Sequence, residues 1–311
     1  MRRTQSVPRG STWVTNDMEF ATDFGAAAEG GQAPRLWTLG SGSKGNATVL
    51  THQGRHLLFD CGYELPELVH RLRLAGVHPW QVDDVVLSHG HRDHVVGAAA
   101  GAKAYGWRVW GALGTVWRWR ALREIDLQPF EPGQAFDAGP WRVHTTPVPH
   151  DVDDSAAFAA EWRGAGPGAR VGYATDLGRA PGPLVDLLRG CDAMVLESNH
   201  DREMLRTGPY PPDRQARVGG EHGHLSNDRA AEVLRAVAHA GLAQVVLGHI
   251  SQHNNTPALA LPSAHAALDG TPFRGQLHAA PQHQVLGPLD VWLPGDARRA
   301  AAAPESAAAP A

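Results

Sequence analysis

Residues 84–97 read DVVLSHGHRDHVVG: an apolar run of buried-strand character, then His89, His91, Asp93 and His94 within six positions, then apolar residues again. A strand is expected over 84–88 and a helix over 94–105. A strand that ends in a turn presents alternate side chains to one side, so His89 and His91 reach one place, with Asp93 and His94 in the next turn. Imidazole and carboxylate are borderline ligands that suit Zn²⁺, Mn²⁺ or Fe²⁺. The competing reading is a chance run in a chain of 18 histidines, but such tracts are ordinarily solvated and not set between an apolar strand and a helix. The fold must therefore bring the end of a buried strand to a metal pocket. Four ligands are too few for two ions, so more must arrive from elsewhere.

Three other strand ends offer them. TTPVPHD ends near His150, RVGYATDLG at Asp176 and VVLGHIS at His249. Any one of these alone is an ordinary hydrogen-bonded loop residue. Together, each as apolar strand, ligand type and loop, they read as one site. Further strands are expected over 36–39, 48–51, 56–60, 107–110, 141–147, 156–162, 170–175, 193–197 and 243–248. Helices are expected over 66–75 and over 226–240, the latter capped by Ser226 and ended by Gly241. Some strands follow one another directly and others are separated by helices. That mixture predicts an α/β layered fold, two β-sheets packed together with helices outside. Residues 34–294 read as one domain without internal repeat. A disordered N-terminal extension is expected over 1–33, and a disordered low-complexity Ala/Pro tail over 295–311.

The segment GSGSKG, residues 40–45, follows a strand and matches a dinucleotide-binding pattern, with Asp60 20 positions after Gly40. That pattern requires a helix to begin at its end, whereas the β-branched NATVLT follows. A tight hairpin between two strands is the expectation, bordering a site through Ser41, Ser43 and Asn46. Hydrophobic residues make up 42% of the chain, enough for a sizeable core, yet no window approaches 18 uninterrupted apolar residues. No membrane segment is expected, and the N-terminus lacks the apolar stretch of a secretory signal. Cys61 and Cys191 lie far apart and read as packing residues, so a reducing cytoplasm is the expected compartment. The net charge of −4 argues against coating nucleic acid through bulk positive charge, but not against holding a few phosphates locally.

The order HxHxDH, then His, Asp and His, resembles the metallo-β-lactamase superfamily. The resemblance implies a four-layer αβ/βα sandwich of two mixed sheets with outer helices and a two-metal site on one edge. It implies that His89, His91 and His150 hold one divalent ion, that Asp93, His94 and His249 hold the other, and that Asp176 bridges them. An aspartate at the bridging place is similar to the phosphodiesterase and nuclease side of the superfamily. GSGSKGNAT, LLFDCG, GYATDLG, LESNHDREMLRTGPYP, GHLSND and LGHISQHNNTPALA resemble the WalJ/YycJ-type proteins, bacterial cytoplasmic enzymes regarded as manganese-dependent 5′-to-3′ exonucleases of double-stranded DNA. At HRDH the chain departs from those relatives, which commonly carry a small residue in place of Arg92; a phosphate contact or a surface salt bridge would explain it.

Two cations about 3.5–4 Å apart lower the pKa of a shared water towards ~7 and neutralise phosphoryl oxygens during in-line displacement. Asp93 belongs to that catalytic pair of ions. GHLS, residues 223–226, resembles the GHST element of tRNA 3′-processing relatives, which nominates His224 as proton donor or phosphate contact; a loop before a helix cap is the alternative. Ser43, Asn46, Asn199, His200 and Asn254 are candidate substrate contacts. Asp60 and Glu197 are candidate carboxylates behind metal-binding histidines, or else capping or turn residues. Tyr210, with Arg206, Arg214 and Arg217 nearby, offers a base-stacking platform or a half-buried anchor. The expected function is metal-dependent hydrolysis of phosphodiester bonds, in DNA first, through a hydroxide shared by the two ions. Its rivals are hydrolysis of thioesters, lactones or cyclic phosphodiesters, and a non-catalytic protein-binding module built round the metal.

Overall fold

The computed structural model describes residues 33–298. Residues 1–32 and 299–311, most of the expected extension and tail, lie outside the described residues. The strands in chain order are β1 (Arg35–Gly40), β2 (Ala47–His52), β3 (Arg55–Phe59), β4 (Val82–Val86), β5 (Arg108–Ala112), β6 (Leu127–Phe130) and β7 (Phe136–Ala138). They continue as β8 (Trp141–Pro147), β9 (Ala156–Trp162), β10 (Arg170–Ala174), β11 (Ala193–Glu197), β12 (Gln244–Gly248), β13 (Gln276–Ala279) and β14 (Leu286–Asp290). Two seven-stranded sheets result, ordered β14-β1-β2-β3-β4-β5-β6 and β13-β12-β11-β10-β9-β8-β7. Each sheet has a parallel part, β3 to β6 in the first and β10 to β13 in the second, and an antiparallel part, which in the first sheet includes the pairing of β14 with β1.

The alternation of each strand explains the layers. Leu57 and Phe59 of β3 point into the seam between the sheets, where they meet Phe158, Tyr173, Val195 and Val246. Leu58 points outward and packs with Leu68, Leu72 and Ala98 of covering helices. On the second sheet Met194, Leu196, Val245 and Leu247 pack outward against Ala230, Val233, Leu234 and Val237 of helix Asn227–Val237. The order helix, sheet, sheet, helix is the expected four-layer sandwich. Among the described residues, no helix is long and apolar enough to cross a membrane.

Every predicted strand is present to within about two residues, but β6, β7, β13 and β14 were not foreseen. The helix expected over 94–105 is divided into Arg92–Val95 and Ala98–Tyr105. The division has a cause: the turn is pinned to the loop after β3, where Cys61 N donates to His94 O (2.6 Å) and Gly97 N to Cys61 O (2.9 Å). A Cβ on Gly62 would lie 1.7 Å from Asp93 O, so only glycine lets the two loops meet. The helix expected over 226–240 closes at Val237, with Ser226 Oγ accepting from Arg229 N as its cap. Residues 40–45 form the β1–β2 hairpin. Cys61 and Cys191 are buried free thiols. At the C-terminal end of the described chain, Arg298 bonds Asp192 at 2.7 Å and lies over Trp292.

Candidate metal centre

Loops that follow β3, β4, β8, β10, β11 and β12 converge at one edge of the sandwich, where parallel strands deliver their carboxyl ends. His89 Nε2 and His150 Nε2 lie 3.1 and 3.2 Å from His91 Nδ1, so three ring nitrogens point at one place. Asp93 Oδ2 lies 3.7 Å from His94 Nε2 and 3.6 Å from His249 Nε2, a second group of three. Asp176 stands between them. Its Oδ2 is 3.1 Å from His94 Nε2, and its Oδ1 is 3.5 Å from His249 Nε2 and 3.8 Å from His150 Nε2.

These donors are held from behind. Buried Asp60 accepts from Ser88 N (2.7 Å), Ser88 Oγ (2.8 Å) and Tyr173 OH (2.8 Å), and its Oδ2 meets His94 Nδ1 at 2.7 Å. Glu197, fully buried, accepts from Leu177 N and Leu225 N and meets His224 Nδ1 at 2.8 Å. His150 Nδ1 is held by Gly223 O (3.1 Å). Asp60, Asp176 and His249 all adopt left-handed backbone, with φ of 58°, 59° and 51°. Such conformations are uncommon for non-glycine residues and persist where surroundings over-determine them.

The electrostatics divide the cluster. Burial, with neighbouring imidazoles, holds His89 well below the ordinary imidazole range, and burial also lowers His91 and His150. For His94 and His249 burial works the same way but is outweighed. Asp60, Asp176 and Asp93 hold His94 well above the ordinary range, and Asp176, Asp93 and Glu197 raise His249 to about 10. Glu197 is depressed to about 2 by His224 and His249 despite its burial. A nest of buried carboxylates thus demands positive charge. Among the described residues, His249 Nε2 is itself buried without a hydrogen-bond partner. Converging ring nitrogens, an orphaned donor nitrogen and surplus carboxylate fit divalent cations.

The candidate substrate contacts differ in exposure. Asn46 is 1% exposed and bonds Ser41 Oγ, Gly42 N and His94 Nε2; it braces the hairpin and the site wall. Asn199, 4% exposed, bonds the ring and carbonyl of His249. Asn254 is wholly buried beside Ser251. None of the three presents a surface to substrate. Ser43 is exposed at the hairpin tip, and His200 lines a pocket beside His224. The ring of Tyr210 carries the Arg214 guanidinium at 3.8 Å, so that face is taken. Arg92 pairs with Glu64 on the surface.

Six contributors escaped the sequence reading. Asp151 lies 3.3 Å from both His91 Nε2 and His150 Nε2; its place directly after His150 was the available signal. Tyr173 reaches Asp60 from the other sheet, and no local pattern marks it. Arg202 and Arg229 line the pocket beside His224, each just inside a helix that follows a site loop. On the opposite rim Arg118 packs against Gly90, between His89 and His91, and the neighbouring Trp117 is 69% exposed.

Comparison with known proteins agrees with this geometry. Residues 55–250 match the model of the beta-lactamase superfamily domain. Exodeoxyribonuclease WalJ of Streptococcus pneumoniae (strain D39) is 28% identical over 71% of this chain and 83% of its own. Exodeoxyribonuclease YycJ of Bacillus anthracis is 27% identical over 76% of this chain and 89% of its own. Ribonuclease Z of Bradyrhizobium sp. ORS 278 is 32% identical over 34% of this chain and 40% of its own. Among solved structures, the metallo-beta-lactamase fold protein YhfI from Bacillus subtilis superposes with a TM-score of 0.61 at 18% identity, covering 82% of this chain and 99% of its own. The domain match, the two-sheet sandwich and the donor cluster on its edge lead to one conclusion: the chain belongs to the beta-lactamase superfamily, as a metal-dependent hydrolase.

Proposed function

We propose that this hydrolase cleaves phosphodiester bonds in nucleic acid, with DNA as the first substrate and removal of nucleotides from an end as its mode. The observation that carries this reading is the position of His224. It is no member of the two groups of three donors, although its Nδ1 converges with His249 on Glu197 (2.8 Å) and Asp176 (3.5 Å); its ring stacks on His249 at 5.1 Å and lines a pocket with arginines. Exposed Arg118, packed against Gly90 between two of the histidines, suits a charged polymer. The two exodeoxyribonuclease relatives, which align over most of this chain, support DNA. The ribonuclease Z match supports RNA as the second reading.

In this reading His89, His91 and His150 would hold one divalent ion, Zn²⁺ or Mn²⁺, and Asp93, His94 and His249 the other, with Asp176 standing between the two groups. The chemistry supplied there when ions are bound would be Lewis-acid charge for the phosphoryl oxygens and for an attacking water. The protein's own part is placement. Asp60 fixes the His94 ring through Nδ1, and Asn199 with Glu197 fixes His249. Glu197 holds Nδ1 of His224, leaving Nε2 free to donate a proton to the departing oxygen. The chemistry needs no secretion or membrane, and we place it in the cytoplasm. The test is turnover of end-labelled duplex DNA, single-stranded DNA and RNA with Mn²⁺ or Zn²⁺. Shortening from one end supports the reading. Rapid hydrolysis of lactones or thioesters without cleavage of any nucleic acid overturns it.

A further inference from the structure

His224 is one wall of a half-open pocket of about 290 Å³, whose other walls include His200, Arg202, Arg206 and Arg229. Its chemistry follows from two helix starts laid side by side. The backbones of His200 and Ser226 pair as an isolated bridge. Directly after them, helix Arg202–Thr207 is capped by Asp201, and helix Asn227–Val237 by Ser226. Arg202, Arg206 and Arg229 on these two helices therefore line one space, with one terminal nitrogen of Arg229 bonded to Gly178 O.

Each arginine leans on a carboxylate: Arg202 on Asp228 at 3.1 Å, Arg206 on Glu203 at 2.9 Å and Arg229 on Glu221 at 3.0 Å. Those carboxylates are 63%, 68% and 57% exposed, and solvated pairs of this kind hold weakly. A guanidinium carries five donors, so the forks retain free N–H groups. His200, a further wall of the pocket, is 3% exposed, and its Nδ1 is buried without a partner among the described residues. A buried polar atom left unpaired costs free energy, which marks this wall as one that a small local adjustment could turn to a ligand. Arginine forks beside an unpaired imidazole nitrogen match a phosphate, which accepts bidentate hydrogen bonds on several oxygens.

We propose that this pocket is a second phosphate site, which takes the phosphate neighbouring the scissile one on the nucleic-acid chain. The proposal rests on the phosphodiesterase reading above and deepens it. With His224 as the shared wall, one phosphate faces the donor cluster while its neighbour occupies the arginines. The site supplies affinity and register, and it carries no bond-breaking step.

The test compares two esters: a nitrophenyl phosphodiester of thymidine, and the same ester with its second sugar hydroxyl phosphorylated. In wild type the added phosphate should lower KM about tenfold, the value of one or two charge-assisted hydrogen bonds. Arg206→Ala and Arg202→Ala, both on exposed helix surface, should reduce that gain to under about threefold, and Arg206→Lys should restore part of it. No gain in wild type, or an equal gain in the alanine variants, overturns the proposal. If wild type hydrolyses neither ester, the phosphodiesterase reading fails separately. The pocket is then judged by titrating inorganic phosphate into the metal-loaded protein. Weaker binding to Arg206→Ala sustains the site, and equal or absent binding removes it.

Discussion

The hydroxyl of Tyr173, on the second sheet, donates to Asp60 Oδ2 at the end of the first, 2.8 Å away and 113 residues earlier. The same carboxylate orients the His94 ring, so a contact across the seam helps to set one nitrogen of the donor cluster. Tyr173→Phe leaves a fully buried carboxylate one donor short. The expected cost is about 1–3 kcal/mol in urea unfolding, with both ions retained. Asp60→Asn should be worse at the site, with metal affinity lower by about 10–100-fold. Unchanged affinity would show that His94 is set by its other neighbours.

Stoichiometry tests the partition of ligands. Metal-reconstituted protein should contain close to two divalent ions per chain by elemental analysis. His91→Ala removes a donor from one group only, so it should lose at least one ion and most of the activity. Full activity of the wild type after exhaustive chelation would exclude a metal-dependent mechanism.

His224→Ala should keep both ions and the fold. If the ring protonates the departing oxygen, the loss falls in kcat, on the order of 10²–10⁴-fold. That defect should shrink for a nitrophenyl diester, whose leaving group needs little help. A rise in KM for all substrates alike would assign His224 to phosphate binding, and loss of metal would make it a ligand.

Ionic strength reports the rim. Hydrolysis of DNA should weaken steeply as salt rises, because arginine–phosphate contacts release counterions. Arg118→Ala should flatten the dependence of log kcat/KM on log salt by roughly one unit. An unaltered slope would place the DNA path away from the loop around Gly90.

Acid stability has a separate source in His52. It is buried against Trp141, Trp162 and Trp292, and burial lowers its pKa below the ordinary 6.5 although Pro167 O accepts at 3.1 Å. The folded state therefore binds the proton less readily than the unfolded chain. Its contribution is complete above pH 6.5 and is lost as pH falls through that value towards the lower folded pKa. His52→Phe should make unfolding free energy less steep between pH 7 and 5 than in wild type. Parallel curves would assign the acid sensitivity to other buried groups.

What the sequence disclosed follows from locality. His89, His91, Asp93 and His94 are crowded into one turn, and His150, Asp176 and His249 each end an apolar run, so pattern alone reaches them. The missed strands lack such a pattern. LQPF and LGPLD carry a proline, FDA has three residues, and QLHA has no fully buried residue. They also include the edges of both sheets, where little packing constrains composition. Asn46, Asn199 and Asn254 show what composition alone does not carry: polarity does not reveal exposure, and site loops bury amides to satisfy their backbone. Tyr173 and the arginine pocket arise only when distant segments meet.

The left-handed backbone at Asp60, Asp176 and His249 bears on how this enzyme would respond to engineering. All three stand at or beside the donor cluster, in a conformation that glycine adopts more readily than aspartate or histidine. A screen that rewards thermal endurance alone would be drawn to glycine or asparagine at Asp176 and His249, while at Asp60 the buried donors that its carboxylate satisfies hold the native residue in place. It would return tougher proteins with emptied donor positions. Selection for heat resistance and selection for turnover thus pull in opposite directions at Asp176 and His249, and a library meant to improve both should hold them fixed.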